Sequence, residues 1–288
     1  MFWAAYDKAA PTQVHMQLCE AVPSESRSNV YPFVVDSGAV REFVGERKIN
    51  TLEMGSFELT NLDYELTYGI RRSDLEDDLT GTFLRKVRQG AEKFAKHPDR
   101  LLARLISANP TCMDGAPLFS ATHQRNPANP DGSTYTNIYA GKPLTVENAA
   151  AVRAKVRSLL GPDGEPLAPE PRTLLVPPSL EQQAREVATA RYAPSAAGTA
   201  IRENVMAGSY DVIVMPHLEA IDASGWYLCD LTGSEKPFVF QKRRDLEFVS
   251  LFDPKDPEVF KRNELVWGGY VRYVMGAGVP FSIAKCTA

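Results

Sequence analysis

The chain has 288 residues, 44% hydrophobic and 24% charged, with 36 acidic side chains against 32 basic ones and a formal net charge of −4. That balance excludes a collagen-like, mucin-like or wholly disordered polymer, and the acidic surplus argues against a dedicated DNA or RNA binder, which needs basic groups to neutralise phosphates. The length suits one large domain or two modest ones, at roughly 100–200 residues each. Cys19, Cys112, Cys229 and Cys286 are widely spaced with no CxxC pair, so neither a disulfide framework nor a zinc site is expected, and reduced thiols are. The run Met1–Tyr6 ends at Asp7-Lys8 with no basic residue before it, too early for a signal peptide. Val274–Ala284 is broken by two Gly and a Pro and falls short of the roughly 20 residues of a membrane span.

In chain order, residues 1–29 have weak periodicity and read as an extended arm with a short helix near Val14–Ala21. Leu62, Tyr64, Leu66, Tyr68 and Ile70 alternate with polar residues or Gly, the period of a strand with one apolar face. Phe57 and Leu59 sit on the opposite phase, so the strand bulges or changes partner near Asn61. Val40–Ile49 is the candidate partner strand and is thick with charge at Arg41, Glu42, Glu46, Arg47 and Lys48. Such a polar hairpin has no core of its own and must lean on the rest of the fold or on a neighbouring subunit.

Residues 73–108 switch to helical spacing. Ser73 with Glu76 resembles a capping box, and Leu84, Val87, Ala91, Phe94, Leu101, Leu102, Leu105 and Ile106 form the apolar stripe. Arg85, Lys86, Arg88, Lys93, Lys96, Arg100 and Arg104 fill another face, read as solvated. Pro98 is expected to break or kink this helix, or to start a second one. Residues 109–143 read as loop. A helix over Thr145–Leu160, a strand at Leu174–Val176, a helix from Ser179 to Ala190 and strands at Tyr210–Met215 and Trp226–Leu231 make 145–235 an α/β module. Residues 238–252 and 258–284 are strand-like.

Three candidate chemistries are weighed. Phe33-Val34-Val35-Asp36-Ser37-Gly38-Ala39 fits the aspartic-protease pattern, but no second Asp-Ser/Thr-Gly exists. Only a dimeric, retroviral-type enzyme would supply two aspartates to share a proton. Asp, Ser and Gly are all turn residues, and a turn is the preferred reading. Cys112, Asp114 and His123 lie close in sequence without a thiol-enzyme signature, which favours a buried free thiol. The histidines 15, 97, 123 and 217 show no HxH or HExxH spacing, so no metal, cofactor or catalytic residue is expected. What remains is an arm, a charged hairpin, a long helix and an α/β module, an organisation suited to an assembly subunit.

Several segments carry a resemblance. Tyr31-Pro32-Phe33-Val34-Val35-Asp36-Ser37-Gly38-Ala39-Val40-Arg41-Glu42 with Gly45-Glu46-Arg47, then Arg71–Asp78, His97-Pro98-Asp99, Cys112-Met113-Asp114-Gly115 with Pro117-Leu118-Phe119, Lys236–Arg243, and Asp253-Pro254 through Phe260-Lys261-Arg262 stand in that order. Together they resemble the major head subunit of Mu-like tailed phages over roughly residues 28–288. The resemblance implies an α+β, Hong Kong 97-type capsid fold, with an N-terminal arm (1–29), an E-loop hairpin with flanking strands (30–70), a P-domain with a spine helix (71–144), an A-domain (145–235) and a return to P-domain strands (236–288). It implies a non-enzymatic major capsid protein, assembling into hexamers and pentamers of an icosahedral shell around double-stranded DNA that it contacts weakly and non-specifically. The expected location is the virion capsid, and the host cytoplasm during assembly, with no membrane. Family-like sequence beginning near residue 28 leads to the expectation of a separate scaffolding protein, with a portal and a decoration protein as further partners. Arg41, Glu46, Arg47 and Lys48 are the candidate inter-subunit ion-pairing residues. Lys48 and Asn263 could be nominated for a lysine–asparagine cross-link, though a solvated Lys48 is preferred. A cellular nanocompartment shell of the same fold is the alternative from another class, and the protease through Asp36 the remote one.

Overall fold

The computed structural model describes all residues except 10–12, 36–41, 43–52, 79, 128–131, 195–200, 234 and 254. Two sheets organise it. In the first, Cys19–Pro23 runs parallel to Phe238–Leu251, which pairs antiparallel with Glu264–Ala277, which in turn pairs antiparallel with Leu62–Arg71. The second has five strands in the order Asp211–Val214, Thr173–Val176, Trp226–Cys229, Ile283–Cys286 and Ile138–Tyr139.

The helix Thr82–Ala108 ties the sheets together. Ala91 and Phe94 pack with Val271 and Tyr273 of the first sheet, and Leu102, Ala103 and Ile106 extend the same core to Leu175, Tyr227 and Ile283 of the second. Gly269 makes the close approach possible, because a Cβ there would stand 2.6 Å from the Phe94 ring. On its other face the second sheet carries the helices Val146–Arg157 and Glu181–Thr189, whose Ala149, Val152, Ala184 and Val187 cover Leu174, Val176 and Leu228. Covered on both faces, Thr173–Val176 is buried throughout, which is why it reads as an unbroken apolar run. Thr145 caps its helix as expected, accepting from Asn148 N at 3.1 Å.

Several expectations are corrected. The described residues of 1–29 are not extended throughout: the short helix expected near Val14–Ala21 forms over His15–Leu18, and a further helix precedes it. Helix Phe2–Ala9 packs on the long helix, with Phe2 buried and stacked 4.1 Å from the Phe248 ring. Pro98 neither ends nor divides the helix, which runs through it. A proline inside a helix costs about 3 kcal/mol, outweighed here because Phe94, Ala95, Pro98 and Leu102 are all buried. The next residue is also an anchor. The buried Asp99 carboxylate accepts from Val14 N at 3.1 Å, His15 N at 2.8 Å and His15 Nδ1 at 2.7 Å. Ser73 and Glu76 form no capping box. Arg72–Glu76 is a separate short helix, and Asp78 instead accepts from Phe83 N and Thr80 N at the start of the long helix. Those backbone donors, Phe83 N first, hold the Asp78 carboxyl at about 2.

The strand partners also differ. Val40–Ile49 lies, Glu42 apart, outside the described residues. The partner of Glu53–Thr60 is Ser28–Val35, paired antiparallel from Ser28↔Thr60 to Val35↔Glu53. The change of partner at Asn61 is observed, since Leu62–Arg71 pairs with Glu264–Ala277. At the other end, Ile283–Cys286 leaves the first sheet and joins the second, a crossing the apolar pattern of 258–284 conceals. A helix, Pro257–Arg262, separates the two long strands.

Asp99→Ala is expected to destabilise the chain by about 3 kcal/mol or more, because it leaves two buried amides and an imidazole without their acceptor. A urea midpoint equal to that of the native chain would show that apolar contacts alone hold the N-terminal segment.

Candidate functional site

The hairpin Ser28–Val35/Glu53–Thr60 pairs with no other strand among the described residues. Its root is joined to the first sheet by polar groups. Gln241 is fully buried in the otherwise apolar start of Phe238–Leu251. Its Oε1 accepts from the Tyr31 hydroxyl at 2.7 Å, and its Nε2 donates to Leu59 O at 3.1 Å and to Asn61 Oδ1 at 2.9 Å. Burial holds the Tyr31 phenol above its ordinary pKa, which keeps it a donor. Asn61 Nδ2 donates onward to Ser24 Oγ at 2.9 Å and Ser26 O at 3.0 Å, and Ser24 Oγ donates to Asn29 Oδ1 at 2.8 Å. Leu59 sits over Gly276, where a Cβ would come within 2.6 Å of its methyls. Tyr31 and Phe57 stack across the strands at 5.1 Å. Between Asn29 and Tyr31, Val30 is 61% exposed.

Arg41, Glu46, Arg47, Lys48 and the Asp36-Ser37-Gly38 segment lie outside the described residues. Asn263 is exposed at the end of helix Pro257–Arg262, in the left-handed region at φ 49°, and its carbonyl accepts from Arg72 N at 3.0 Å. Cys112 is buried, and burial first, then Asp114, pushes its thiol up to about 12. That keeps it out of the thiolate form a nucleophile needs. Asp114 pairs with His123 Nδ1 at 2.6 Å, while His123 Nε2 lies 3.2 Å from both Leu118 O and Asn137 Oδ1. This is a buried knot stitching the 109–143 loops together. Gln241 falls within the Lys236–Arg243 segment of the resemblance, but nothing there marks it as a hydrogen-bonding hub, and Asn61 lies in no such segment. Their one sequence signal is a lone amide within or beside a strand pattern.

The basic face of the long helix is solvent-exposed, as its spacing predicts. Part of it borders a groove of about 790 Å³ between the helix and strand Leu62–Arg71, with His217 at one edge. His97 lies within it, packed edge-on to Tyr64 at 4.6 Å and hydrogen-bonded to the Tyr273 hydroxyl. Desolvation first, then Arg100 and Arg104, lowers its pKa to about 4. Among the described residues no cluster of three or more His, Cys, Asp or Glu is placed to hold a metal ion, and no helix is long and apolar enough to cross a membrane.

A family model described as the Mu-like prophage major head subunit gpT matches residues 1–143, 135–218 and 219–285, and so reaches the first 28 residues that the motif resemblance left out. The major capsid protein of Escherichia phage Mu is 24% identical over 271 residues, covering 93% of this chain; the chain spans 64% of that relative's length. Among solved structures, the capsid of bacteriophage JBD30 decorated with minor capsid protein trimers is similar at TM-score 0.59 and 22% identity, over 72% of this chain and 90% of that one. The capsid of a native GTA particle is similar at TM-score 0.60 and 16% identity, over 96% and 90%. The α+β fold is that of phage capsid subunits, the Hong Kong 97 type.

Two outcomes follow from the geometry. Gln241→Ala leaves Tyr31, Leu59 and Asn61 without their partner and is expected to cost about 1–3 kcal/mol, with faster amide exchange along Glu53–Thr60. Unchanged exchange there would show that the root is held by Leu59 alone. His97 is neutral in the folded chain and, unfolded, titrates near 6.5, so its contribution is complete above about pH 6.5 and is lost as pH falls towards about 4. His97→Gln is expected to flatten that part of the stability-against-pH curve, measured by urea midpoints; an unaltered slope would sink the assignment.

Proposed function

The chain belongs to the family of the Mu-like prophage major head subunit gpT, and from that premise we propose that it is the major capsid protein of a tailed phage, building hexamers and pentamers of an icosahedral shell. One observation supports this most directly: on a capsid fold, the chain carries a two-stranded hairpin whose blade has no further strand partner within the described residues. An isolated hairpin is marginal in water, and a shell offers it the surface of a neighbouring copy. In this reading the hairpin is the E-loop, the long helix is the spine of the P-domain, and 145–235 is the A-domain, to which Ile283–Cys286 contributes its own strand.

The charged segment carrying Arg41, Glu46, Arg47 and Lys48 would make its ion pairs across the interface. Each exposed pair contributes only about 0–1 kcal/mol, but the same contact repeats in every subunit of a closed shell. The role is structural, without catalysis or cofactor, and places the protein in the virion after assembly in the host cytoplasm. A separate scaffolding protein, a portal and a decoration protein belong to the same proposal, as does weak, non-specific contact with packaged double-stranded DNA. The matched family and folds are those of phage heads, so neither the cellular cage nor the Asp36 protease is carried forward.

Electron microscopy of the purified protein, alone and with its neighbouring head genes, is expected to show closed icosahedral particles or hexamer-like capsomers. Arg47→Glu is expected to lower particle yield severalfold. Dispersed monomers under every condition would overturn the capsid reading, and unchanged yield and particle stability for Arg47→Glu would remove the ion-pair role alone.

A further inference from the structure

We propose that a second copy of this chain adds a strand to the outer edge of Glu53–Thr60, and that Pro32 closes the hairpin's opposite edge, that of Ser28–Val35, to such pairing. The inference rests on the capsid reading, which supplies the neighbouring copy, and adds the edge and the mode by which that copy is held.

Alternation along the ladder fixes which backbone groups face outward. Asn61 N donates to Arg27 O at 3.0 Å, immediately before the first ladder pair, Ser28↔Thr60. Antiparallel ladders alternate between pairs that exchange hydrogen bonds and pairs that do not. Counted from Arg27 and Asn61, the exchanging pairs are Asn29 with Leu59, Tyr31 with Phe57 and Phe33 with Gly55. Val30 with Glu58, Pro32 with Ser56 and Val34 with Met54 fall between them. The backbone groups of these residues point away from the partner strand, along the two outer edges. Among the described residues no third strand meets either edge.

The two edges are not equivalent. On Glu53–Thr60, Met54, Ser56 and Glu58 each present an N–H and a C=O, an uninterrupted template for another strand. On Ser28–Val35 the middle outward position is the exposed Pro32, which has no N–H and whose ring stands where an added strand would lie. The hairpin itself loses nothing, because an N–H at that position would not be used within the ladder. Prolines so placed block unwanted pairing at sheet edges. Ser56 and Glu58 are exposed, whereas Leu59 is occupied at Gly276. Recognition on the open edge is therefore carried by the main chain first. Both the family and the fold are those of phage heads. In a closed shell every hairpin has another copy beside it, and main-chain pairing asks for no particular side chains.

The test is amide hydrogen exchange, resolved to single residues, on the native chain before and after assembly into particles. The Ser56 and Glu58 amides are expected to exchange at least about tenfold more slowly in particles than in unassembled subunits, while Val30 and Val34 keep their rates. Ser56→Pro places the same block on the open edge without removing a ladder bond and is expected to lower particle yield severalfold. Val30→Pro, on the closed edge, and Ser56→Ala are expected to leave the yield unchanged. Slow exchange retained at Phe57 and Leu59 would confirm that the hairpin survives each substitution, and the comparison on the native chain needs no variant. Four results would overturn the proposal: closed particles in which Ser56 and Glu58 exchange as fast as before, protection at Val30 and Val34 instead, slow exchange of Ser56 and Glu58 already in the unassembled subunit, or protection that appears only when other head proteins are added. Each of these, found in closed particles, leaves the capsid reading standing. Dispersed subunits under every condition would overturn both.

Discussion

Strands Phe238–Leu251 and Glu264–Ala277 form the ladder on which the other parts depend. The first half of Phe238–Leu251 takes Cys19–Pro23 on its far edge, while Glu264–Ala277 takes Leu62–Arg71 on the other. One face receives the long helix at Gly269, and Leu59 of the hairpin sits at Gly276. The register shifts between Lys242 and Glu247, where the first strand passes from buried to exposed. Irregular pairing of this kind bends a strand and increases its twist. One strand can then be core at Phe238–Gln241 and surface beyond. Glycine lets neighbours approach at two points of a ladder whose other buried positions are bulky, Phe238, Phe240, Trp267 and Tyr273 among them.

How much of this was legible in the sequence depended on whether the determinant was local. Period-two spacing in Leu62–Ile70 and apolar periodicity in the long helix both record a single buried face, and both elements form where the pattern puts them. The partner change at Asn61 was visible as a phase slip between Leu59 and Leu62. The N-terminal segment was not legible. Its anchor is Asp99, which looks like a helix-start residue beside Pro98 until the amides of Val14 and His15 arrive from the far end of the chain. Pro98 misled for the same reason, since tertiary burial repays a local penalty that sequence alone displays. The crossing of Ile283–Cys286 into the second sheet was hidden because strands buried in either sheet are equally apolar. The hairpin's docking was illegible because its signal is one glutamine.

Charge told a similar story at two scales. The net value of −4 describes an average. It hides the segregation of cations along the long helix, where Lys96, Arg100 and Arg104 stand in a line one turn after Glu92. A helix that only needed solubility would gain from opposite charges at that spacing. The cost of like charges there is about a few tenths of a kcal/mol per pair, which the buried face of the helix outweighs.

The hairpin root shows how a subunit can be rigid where it joins and open where it must bind. An apolar root would be held by contacts that have no preferred direction, and the blade could settle at many angles for similar energy. Gln241 instead spends both its donors and its acceptor on three partners in two segments, Tyr31 in one and Leu59 and Asn61 in the other. Because a buried amide left unpaired is costly, few orientations satisfy all of them together. The network thus sets the hairpin's direction at its base, while an outer strand edge keeps its capacity to pair. Direction fixed at the root and an open edge at the blade is the division of labour that the proposed shell, with its repeated, near-identical contacts, would require.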